Sequence, residues 1–306
     1  MISNNLTSGL WFLAGVQNLQ ARITTTQKQI SSGFRIQDAS DSPSQAADVV
    51  GLGTAVSSLE HYLTNLGRVT AETTSADTAL STAITLINRA RQLAVQAANS
   101  TTTASERQAI AVEVKNIQQQ IVGLSNTSVE GRYIFGGDQD QSPPYQYDAA
   151  SARGVDKLTT QTASRVIQDT SGLTVFSAQT AAVIFDTQDT LGAPTAGNVF
   201  VALQSLVNSL NANDQAGTAT ALTQLQAGAD WLNQQQAGYG AAASRLTDET
   251  NLSNNVLTSL RTRLSEIRDT DVVQAATDLS LETTAQSAAF SAQASVPRKS
   301  LFDYLG

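Results

Sequence analysis

The sequence contains no cysteine and only one histidine. Without cysteine the chain has no disulfide framework, no thiolate nucleophile and no thiolate metal site. The single histidine, His61, lies at helical spacing near Leu59 and Leu63, so we interpret it as a packing or surface residue rather than a base or a ligand. We therefore predict that the protein is not an enzyme and has no catalytic, cofactor-binding or metal-binding residue.

Charge is also scarce, at 14% of residues with a net charge of -8. Such a chain is not expected to bind nucleic acid, whose phosphates attract clusters of Lys and Arg. The apolar run from Leu10 to Val16 is interrupted and too short for a membrane span or the core of a signal peptide. We expect no membrane insertion, and any export must proceed without a cleaved signal.

Helical periodicity is abundant. Near the N-terminus apolar residues recur in steps of three and four, which is typical of a helix that packs against another helix. This series is Phe12, Val16, Leu19, Ile23, Thr26 and Ile30. A second helix is predicted from about residue 44 to 98, and the capping-box spacing of Thr103 and Glu106 predicts the start of a third.

The C-terminal half repeats this pattern. Helical spacing runs from Phe200 to Leu210, and one heptad frame then holds from Leu222 to Ile267 without a shift. A frame of that length indicates a coiled-coil-like helix, which we expect to pack antiparallel to the N-terminal helices. Beyond Asp271 the apolar seam becomes thin.

The segment SSGFRIQDASDSPSQAA, residues 31–47, indicates a turn between the first two helices. Gly33 suits the turn, Asp41 or Ser42 can cap the next helix, and Pro43 suits its first turn. We expect Arg35 to form an ion pair with Asp41 that stabilises the turn, the alternative being a contact with another subunit.

The middle of the chain changes to strand-like patterns. Residues 133–135 precede a Gly-Gly turn, RVIQDTSGLTVF (165–176) predicts two strands around a turn, and AVIFDT (182–187) predicts one more. The junction between the helices and this β-rich head is predicted at Arg132, Tyr133, Phe135 and Gly136.

These patterns predict a mainly α protein, in which the N- and C-terminal parts form a long antiparallel coiled-coil-like helix bundle and a small β-rich domain is inserted in the middle. The expected segments are a terminal assembly helix at 1–42, an inner helical rod at 43–130, the head at 131–197, a second rod part at 198–265 and a second assembly helix at 266–306.

The two ends carry too few apolar residues to offset the cost of ordering their backbone, about 1–2 kcal/mol per residue. We expect them to become ordered against each other and against other subunits. The predicted subunit-assembly interface consists of Phe12, Val16, Leu19, Ile23, Ile30, Leu257, Leu260, Leu264, Ile267 and Phe290.

Three weak motifs have simpler explanations than ligand binding. The Gly51-Leu52-Gly53 sequence has Val56 where a phosphate loop needs its third glycine, and no strand precedes it. Asp138 with Asp140 resembles half of a calcium loop without the bidentate acid at its end, and the same holds for Asp269 with Asp271. We interpret these residues as close-packing glycines and solvated turns.

The sequence resembles the bacterial flagellin family. The likeness is carried by residues 86–114, by residues 244–280 and by the turn residues Gln29, Ser32, Gly33, Arg35, Ile36, Asp41 and Pro43. It covers well over half of the chain. Ser42 departs from the pattern, since the family often has a second acidic residue there.

Within the family, the segment GRYIFGGDQDQSPPY (131–145) is more similar to members that join hook to filament than to those that form the filament; a short filament flagellin is the alternative. The resemblance implies a secreted, extracellular subunit of the flagellum that self-assembles into a helical tube through its terminal helices. Its implied partners are copies of itself, another hook-associated protein on the hook side, flagellin on the filament side and an export chaperone. Arg89, Leu93 and Glu113 match positions that face innate immune receptors in flagellins.

Two other classes of function would place different demands on the sequence. An adhesion module would need an aromatic patch on the head, which requires Phe176 or Phe185 to point outward. A secreted hydrolase would need titratable groups clustered in one cleft, whereas the β-rich stretch offers only scattered Asp residues.

Overall fold

The computed structural model describes residues 2–160, 164–168, 172 and 174–295, which form helices and short strands. The α-helices are α1 (Ile2–Ser32), α2 (Pro43–Ala98), α3 (Ala104–Ser125), α4 (Ala181–Phe185), α5 (Val199–Asn211), α6 (Gln215–Arg268) and α7 (Val272–Ser295). The strands are β1 (Ser128–Val129), β2 (Arg132–Tyr133), β3 (Tyr145–Tyr147), β4 (Val155–Lys157), β5 (Val166–Gln168) and β6 (Thr174–Ser177), and a 3-10 helix spans Gly137–Gln139.

The residues group into two compact units. Unit 1 combines Met1–Glu60 with Asn255–Gly306, and unit 2 is His61–Asn254. The predicted mainly α fold, with paired terminal parts and a strand-containing insertion, is confirmed. The segment limits predicted at residues 42, 130, 197 and 265 stay a prediction. Across the described ranges, no helix has an apolar stretch long enough to cross a bilayer.

Helix α3 begins at the predicted capping box. The Thr103 hydroxyl accepts a hydrogen bond from the Glu106 N–H (3.3 Å), and the Glu106 carboxylate accepts one from the Thr103 N–H (2.7 Å). These bonds with Thr103 lower the pKa of Glu106. The helix packs against α5, and Ile110, Val114, Ile117 and Ile121, which recur at helical spacing, are buried.

The end of α2 is capped by an arginine from α3. The Arg107 guanidinium donates to the carbonyls of Ala97 (2.9 Å) and Asn99 (3.1 Å) and to the side chain of Asn213. The carbonyls at a helix C-terminus carry partial negative charge, so they compensate this nearly buried cation. The contact also joins the α2–α3 connection to the α5–α6 connection.

The middle segment is anchored to the helices by aromatic side chains. A continuous series of ring contacts, with centroids 5.0–6.4 Å apart, joins Phe176, Tyr239, Phe135, Phe185, Phe200 and Tyr145. All six side chains are buried, and an aromatic pair contributes about 0.5–1.5 kcal/mol beyond the area it buries. Aromatic residues are concentrated around residue 135 because they attach the insertion to α5 and α6.

The same cluster removes the basis of the adhesion hypothesis. Phe176 and Phe185 are both buried, and the hydroxyl of Tyr239 accepts a hydrogen bond from the Gln179 N–H (3.1 Å) within the cluster. Burial raises the pKa of Tyr239 to about 12. The outward-facing aromatic patch that adhesion required is therefore not formed by these residues.

The strand predictions are only partly correct. Strands β5 and β6 form the expected antiparallel hairpin, with Val166 opposite Ser177. Residues 134 and 135 lie in a turn after β2 instead of continuing the strand. The hairpin of β1 and β2 was missed; its Glu130-Gly131 turn has φ of 52° and 78°, which suits the two-residue turns of hairpins.

The predicted strand at 182–187 is wrong, because this segment forms α4. The Thr180 hydroxyl caps the helix by accepting a hydrogen bond from the Val183 N–H (3.4 Å). Ala181, Ile184 and Phe185 are buried, at positions that share one face of a helix. A short apolar run fits a buried helix as well as a strand, so periodicity alone did not separate them.

A buried carboxylate organises the polar part of the insertion. Asp186 accepts hydrogen bonds from the Tyr145 hydroxyl (3.1 Å), Arg153 (2.9 Å), Gln188 (3.0 Å) and Asn198 (2.8 Å). Burial raises the pKa of Tyr145, and the adjacent negative charge raises it further. These four donors, one of which is the Arg153 cation, satisfy a charge that would be costly to bury alone.

We predict that Gly154→Ala destabilises unit 2 more than Gly192→Ala. Both glycines have positive φ, 70° and 82°, but a Cβ at 154 would lie 2.0 Å from Gln118 Nε2, whereas a Cβ at 192 meets nothing closer than 3.9 Å. Both substitutions incur backbone strain of about 1–2 kcal/mol, and overpacking adds about 1–3 kcal/mol at 154. Chemical denaturation measures both; equal losses would contradict the packing argument.

Candidate assembly site

Unit 1 is built on the pairing of the two terminal helices, α1 and α7. The Phe12 ring meets the Phe290 ring edge-on, with centroids 6.4 Å apart, and Ile23 is buried farther along α1. The seam is narrow, as the sequence indicated, since most neighbouring side chains on both helices are exposed.

A buried glutamate adds a polar contact between these helices. Glu282 of α7 accepts hydrogen bonds from Arg22 Nε (3.0 Å) and from the Thr26 hydroxyl (3.1 Å), both on α1. Glu282 and Thr26 are buried, whereas the Arg22 side chain is largely exposed. Because a buried carboxylate needs its partners, this contact fixes the alignment of α1 against α7.

The turn after α1 binds the connection between α6 and α7. The Arg268 carbonyl accepts hydrogen bonds from the N–H groups of Arg35 (2.7 Å) and Ile36 (3.2 Å), and the Gly33 carbonyl accepts one from the Thr270 N–H (2.9 Å). The guanidinium of Arg268 lies 4.0 Å from the centre of the Phe34 ring. We call residues 33–36 with 267–270 the clasp.

The clasp gives Arg35 and Asp41 partners other than each other. Arg35 Nη2 donates to the Ile267 carbonyl (2.5 Å) and to Gln45, and Asp41 accepts hydrogen bonds from the N–H groups of Gln37 and Asp38, both at 2.9 Å. The predicted Arg35–Asp41 ion pair is thus replaced by contacts to the backbone. These backbone bonds hold the pKa of Asp41 below its ordinary value of 3.8.

The two aspartates after α6 have structural partners. Asp271 caps α7 by accepting hydrogen bonds from the N–H groups of Val273 (2.9 Å) and Gln274 (3.1 Å). Asp269 accepts hydrogen bonds from Ser265 and Arg268, which outweigh the effect of partial burial and lower its pKa. Helix capping and the clasp account for both residues.

Large apolar side chains nevertheless remain exposed on unit 1. Trp11 is 75% exposed and Val273 is 78% exposed, although each lies next to a buried or half-buried seam. The exposed set is Leu10, Trp11, Leu13, Val50, Val256, Val272, Val273, Leu281 and Phe290. We call Leu10, Trp11 and Leu13 the α1 apolar patch.

The structure places the ten predicted interface residues in different environments. Ile23, Leu257 and Leu264 are buried inside unit 1, and Phe290 is half-exposed. The others, Phe12, Val16, Leu19, Ile30, Leu260 and Ile267, are half-buried. Phe12 and Phe290 are brought together, whereas the α6 residues near Leu264 and Ile267 lie toward the first turns of α2. Their role between subunits stays a prediction.

The turn residues occupy the predicted region. Gly33 has φ of 77°, which glycine adopts without strain, and Pro43 begins α2. The Ser42 carbonyl accepts hydrogen bonds from the N–H groups of Gln45 and Ala46, so Ser42 stands at the helix start while Asp41 closes the turn.

The head-junction residues form one local network in unit 2. Arg132 pairs with Asp140, and the Tyr133 N–H donates to the Asp140 carbonyl (2.8 Å). A Cβ at Gly136 would lie 2.8 Å from the Asp140 Cα, so only glycine fits, while Phe135 enters the aromatic cluster. Burial would raise the pKa of Asp140, but hydrogen bonds from Gln141 and Arg132 hold it below its usual value.

Two features of the site were missed from the sequence. Glu282 was not singled out, although a carboxylate in the thin seam of α7 and a threonine in the seam of α1 were available signals. The sequence indicates the α1 apolar patch only as an interrupted hydrophobic run, because Leu10, Trp11 and Leu13 lie outside the helix seam of α1.

The fold defines a helical protein whose two ends pair and whose middle is an insertion. Models of the bacterial flagellin N-terminal helical region and C-terminal helical region match residues 2–140 and 220–305. The chain therefore belongs to the bacterial flagellin family.

Among its relatives, flagellar hook-associated protein 3 of Salmonella typhimurium is 27% identical over 202 residues, which cover 65% of this chain and 63% of that protein. Flagellar hook-associated protein 3 of Escherichia coli is 26% identical over 221 residues, 70% of this chain and 68% of that protein. The match thus spans about two thirds of these relatives. The crystal structure of the Legionella pneumophila flagellar hook-associated protein 3 shares the fold, with a TM-score of 0.60 at 15% identity over 71% of this chain and 98% of that one.

We predict that Glu282→Ala weakens the α1–α7 pair by about 1–3 kcal/mol, because the buried Thr26 hydroxyl loses its acceptor. Hydrogen exchange of α1 and α7 amides measures the change. Glu266→Ala, which removes an exposed glutamate from α6, is the matched control and should have little effect. Equal protection in both variants would contradict a role for Glu282 in alignment.

The turn should also respond to acid. Because the folded pKa of Asp41 is lowered, its contribution is complete above the unfolded value and is lost as pH falls below 3.8 through the folded pKa. NMR should show the Gln37 and Asp38 amide resonances titrating in that acidic window and becoming insensitive to it in Asp41→Asn. An Asp41 pKa above the ordinary value would refute this assignment.

Proposed function

We propose that this protein is a structural subunit of the bacterial flagellum that joins hook to filament. Family membership supports a flagellar subunit, and the two hook-associated relatives favour this role over that of a short filament flagellin. On this proposal, residues 1–42 and 266–306 act as assembly helices, 43–130 and 198–265 as the inner rod, and 131–197 as the head.

The observation that carries the proposal is the α1 apolar patch beside the α1–α7 seam. Covering a large apolar side chain contributes about 1.5–3 kcal/mol, and the gain recurs in every identical subunit. Head-to-tail contacts that do not close on themselves generate helical tubes, which is the assembly proposed here.

The ionisable groups favour a structural role over a hydrolase. In the described part of the chain, no three His, Cys, Asp or Glu residues form a group that could hold a metal ion. The buried carboxylates of Glu72, Asp186 and Glu282 are each committed to partners that join separate elements. A protein that works by assembly needs no free catalytic acid or base.

The proposed partners follow from the position between two assemblies. They are further copies of this chain, another hook-associated protein on the hook side, flagellin on the filament side and an export chaperone before assembly. Delivery to the extracellular flagellum would use type III export without a cleaved signal. The prediction that an innate immune receptor recognises this chain has less support, because Leu93 is buried in unit 2 and Arg89 is paired with Glu113.

A deletion strain tests the role directly. We expect cells lacking this gene to be non-motile and to release unassembled flagellin, and the wild-type gene to restore attached filaments. A Leu10→Asp, Trp11→Asp, Leu13→Asp variant should be exported but fail to restore them, because charge in the patch opposes burial. The measurements are motility, electron microscopy and flagellin in the culture medium.

The matched control carries Val95→Asp and Val112→Asp, which charge exposed apolar positions of unit 2 outside the patch. This variant should restore filaments. Motility retained in the deletion strain would remove the structural role, and long filaments formed by this chain alone would favour the filament flagellin.

A further inference from the structure

In the insertion, the apolar side chain of Leu191 projects from a hydrogen-bonded turn. Leu191 is 91% exposed, more than any other large apolar residue for which exposure is described. Asp189 Oδ1 accepts hydrogen bonds from the N–H groups of Leu191 and Ala193, both at 2.9 Å, and the Asp189 N–H donates to the Ala193 carbonyl (2.8 Å). Isolated exposed leucines are common on protein surfaces, but this one is held outward by an ordered loop.

The base of the same loop forms one wall of an open cavity of about 570 Å³. Trp231 of α6 lines it, together with Val183 of α4 and loop residues that include Thr187, Gln188 and Gly197. The Trp231 indole donates to the Val183 carbonyl (3.1 Å), and the position of a Cβ on Gly197 lies 3.1 Å from the Trp231 side chain. The indole is therefore fixed at the side of the cavity. We call this cavity the Trp231 pocket.

The loop holds Leu191, which we call the knob, in a constant position relative to the Trp231 pocket. Asn198 Nδ2 donates to Asp186 Oδ1 (2.8 Å) and to the Thr187 carbonyl (3.0 Å), which ties the two ends of the loop together. Gln188 pairs with Pro194 as an antiparallel bridge below the Leu191 turn. Little ordering entropy remains to be lost when such a surface is covered.

Charge distinguishes the two surfaces. Lys157 and Asp186 both line the pocket; Asp186 is paired with Arg153, whereas Lys157 forms no ion pair with a described residue. Asp189 lies beside Leu191 and is exposed. Leu191 with its acidic neighbour Asp189 is thus complementary to a pocket that offers the Trp231 and Val183 side chains and the unpaired cation of Lys157.

We propose that Leu191 of one subunit inserts into the Trp231 pocket of the next, with Asp189 facing Lys157 across the contact. In the proposed contact one subunit receives Leu191 of its neighbour in the pocket while its own Leu191 enters a third subunit, a head-to-tail arrangement that can continue around a ring or tube. This inference rests on the proposed assembly into the flagellum. It assigns the insertion a role in subunit contact that is independent of the terminal helices.

Cysteine cross-linking tests the contact in assembled flagella, because the chain has no cysteine of its own. Leu191→Cys with Val183→Cys, joined by a short bis-maleimide, should give a ladder of cross-linked subunits in isolated hook and filament preparations. Leu191→Cys with Val112→Cys is the control and should give none. If filaments attach but no specific ladder forms, the contact is overturned and the proposed function stands. If cells that express the wild-type protein carry no attached filaments in the same assay, the proposed function itself is overturned.

If the cysteine variants do not support filaments, tryptophan fluorescence of the purified full chain tests the same contact. In Trp11→Phe, Trp231 is the single tryptophan, and its emission should shift to shorter wavelength between dilute and concentrated protein as Leu191 covers it. Leu191→Ser should abolish the shift, and its absence in the parent chain would overturn the proposal. Lys157→Gln and Asp189→Asn should each weaken association about two- to five-fold, with no further loss when the two are combined. An emission shift that Leu191→Ser leaves unchanged would mean that a group other than Leu191 covers Trp231, which would overturn the proposal.

Discussion

The carbonyl groups at the end of α6 have no partners within their own helix, and the turn after α1 supplies them. Arg35 uses its backbone N–H and its guanidinium for Arg268 and Ile267, so the start and the end of the chain are joined through obligatory backbone bonds. The buried Glu282 can reach Arg22 and Thr26 only while α1 and α7 keep the same relative position.

The insertion in unit 2 contains too little regular secondary structure to form a hydrophobic core by itself. Its strands are two to four residues long and form only two-stranded sheets in the described ranges, which are marginal by themselves. The insertion is ordered by the aromatic cluster and by Asp186, which attach it to the helices.

The helices were predictable from local patterns, whereas the insertion was only partly so. The Thr103–Glu106 capping box and the start of α2 at Pro43 are local in sequence, so their chemistry could be recognised directly. The segment 182–187 is predicted as a strand because its run of four apolar residues, 182–185, fits either structure. Only the cap at Thr180 and the core that buries Phe185 decide for the helix.

The sequence by itself determined the helical seams, the turn at residues 33–43, the position of the insertion and the family, because these depend on spacing along the chain. Tertiary structure alone decided the partners of Arg35 and Asp41, the burial of Ile23 and Leu264, and the meeting of Thr26 with Glu282, 256 residues apart. Contacts between distant residues depend on how the helices align. Helical periodicity specifies which face is apolar but not which residues of another helix will meet it.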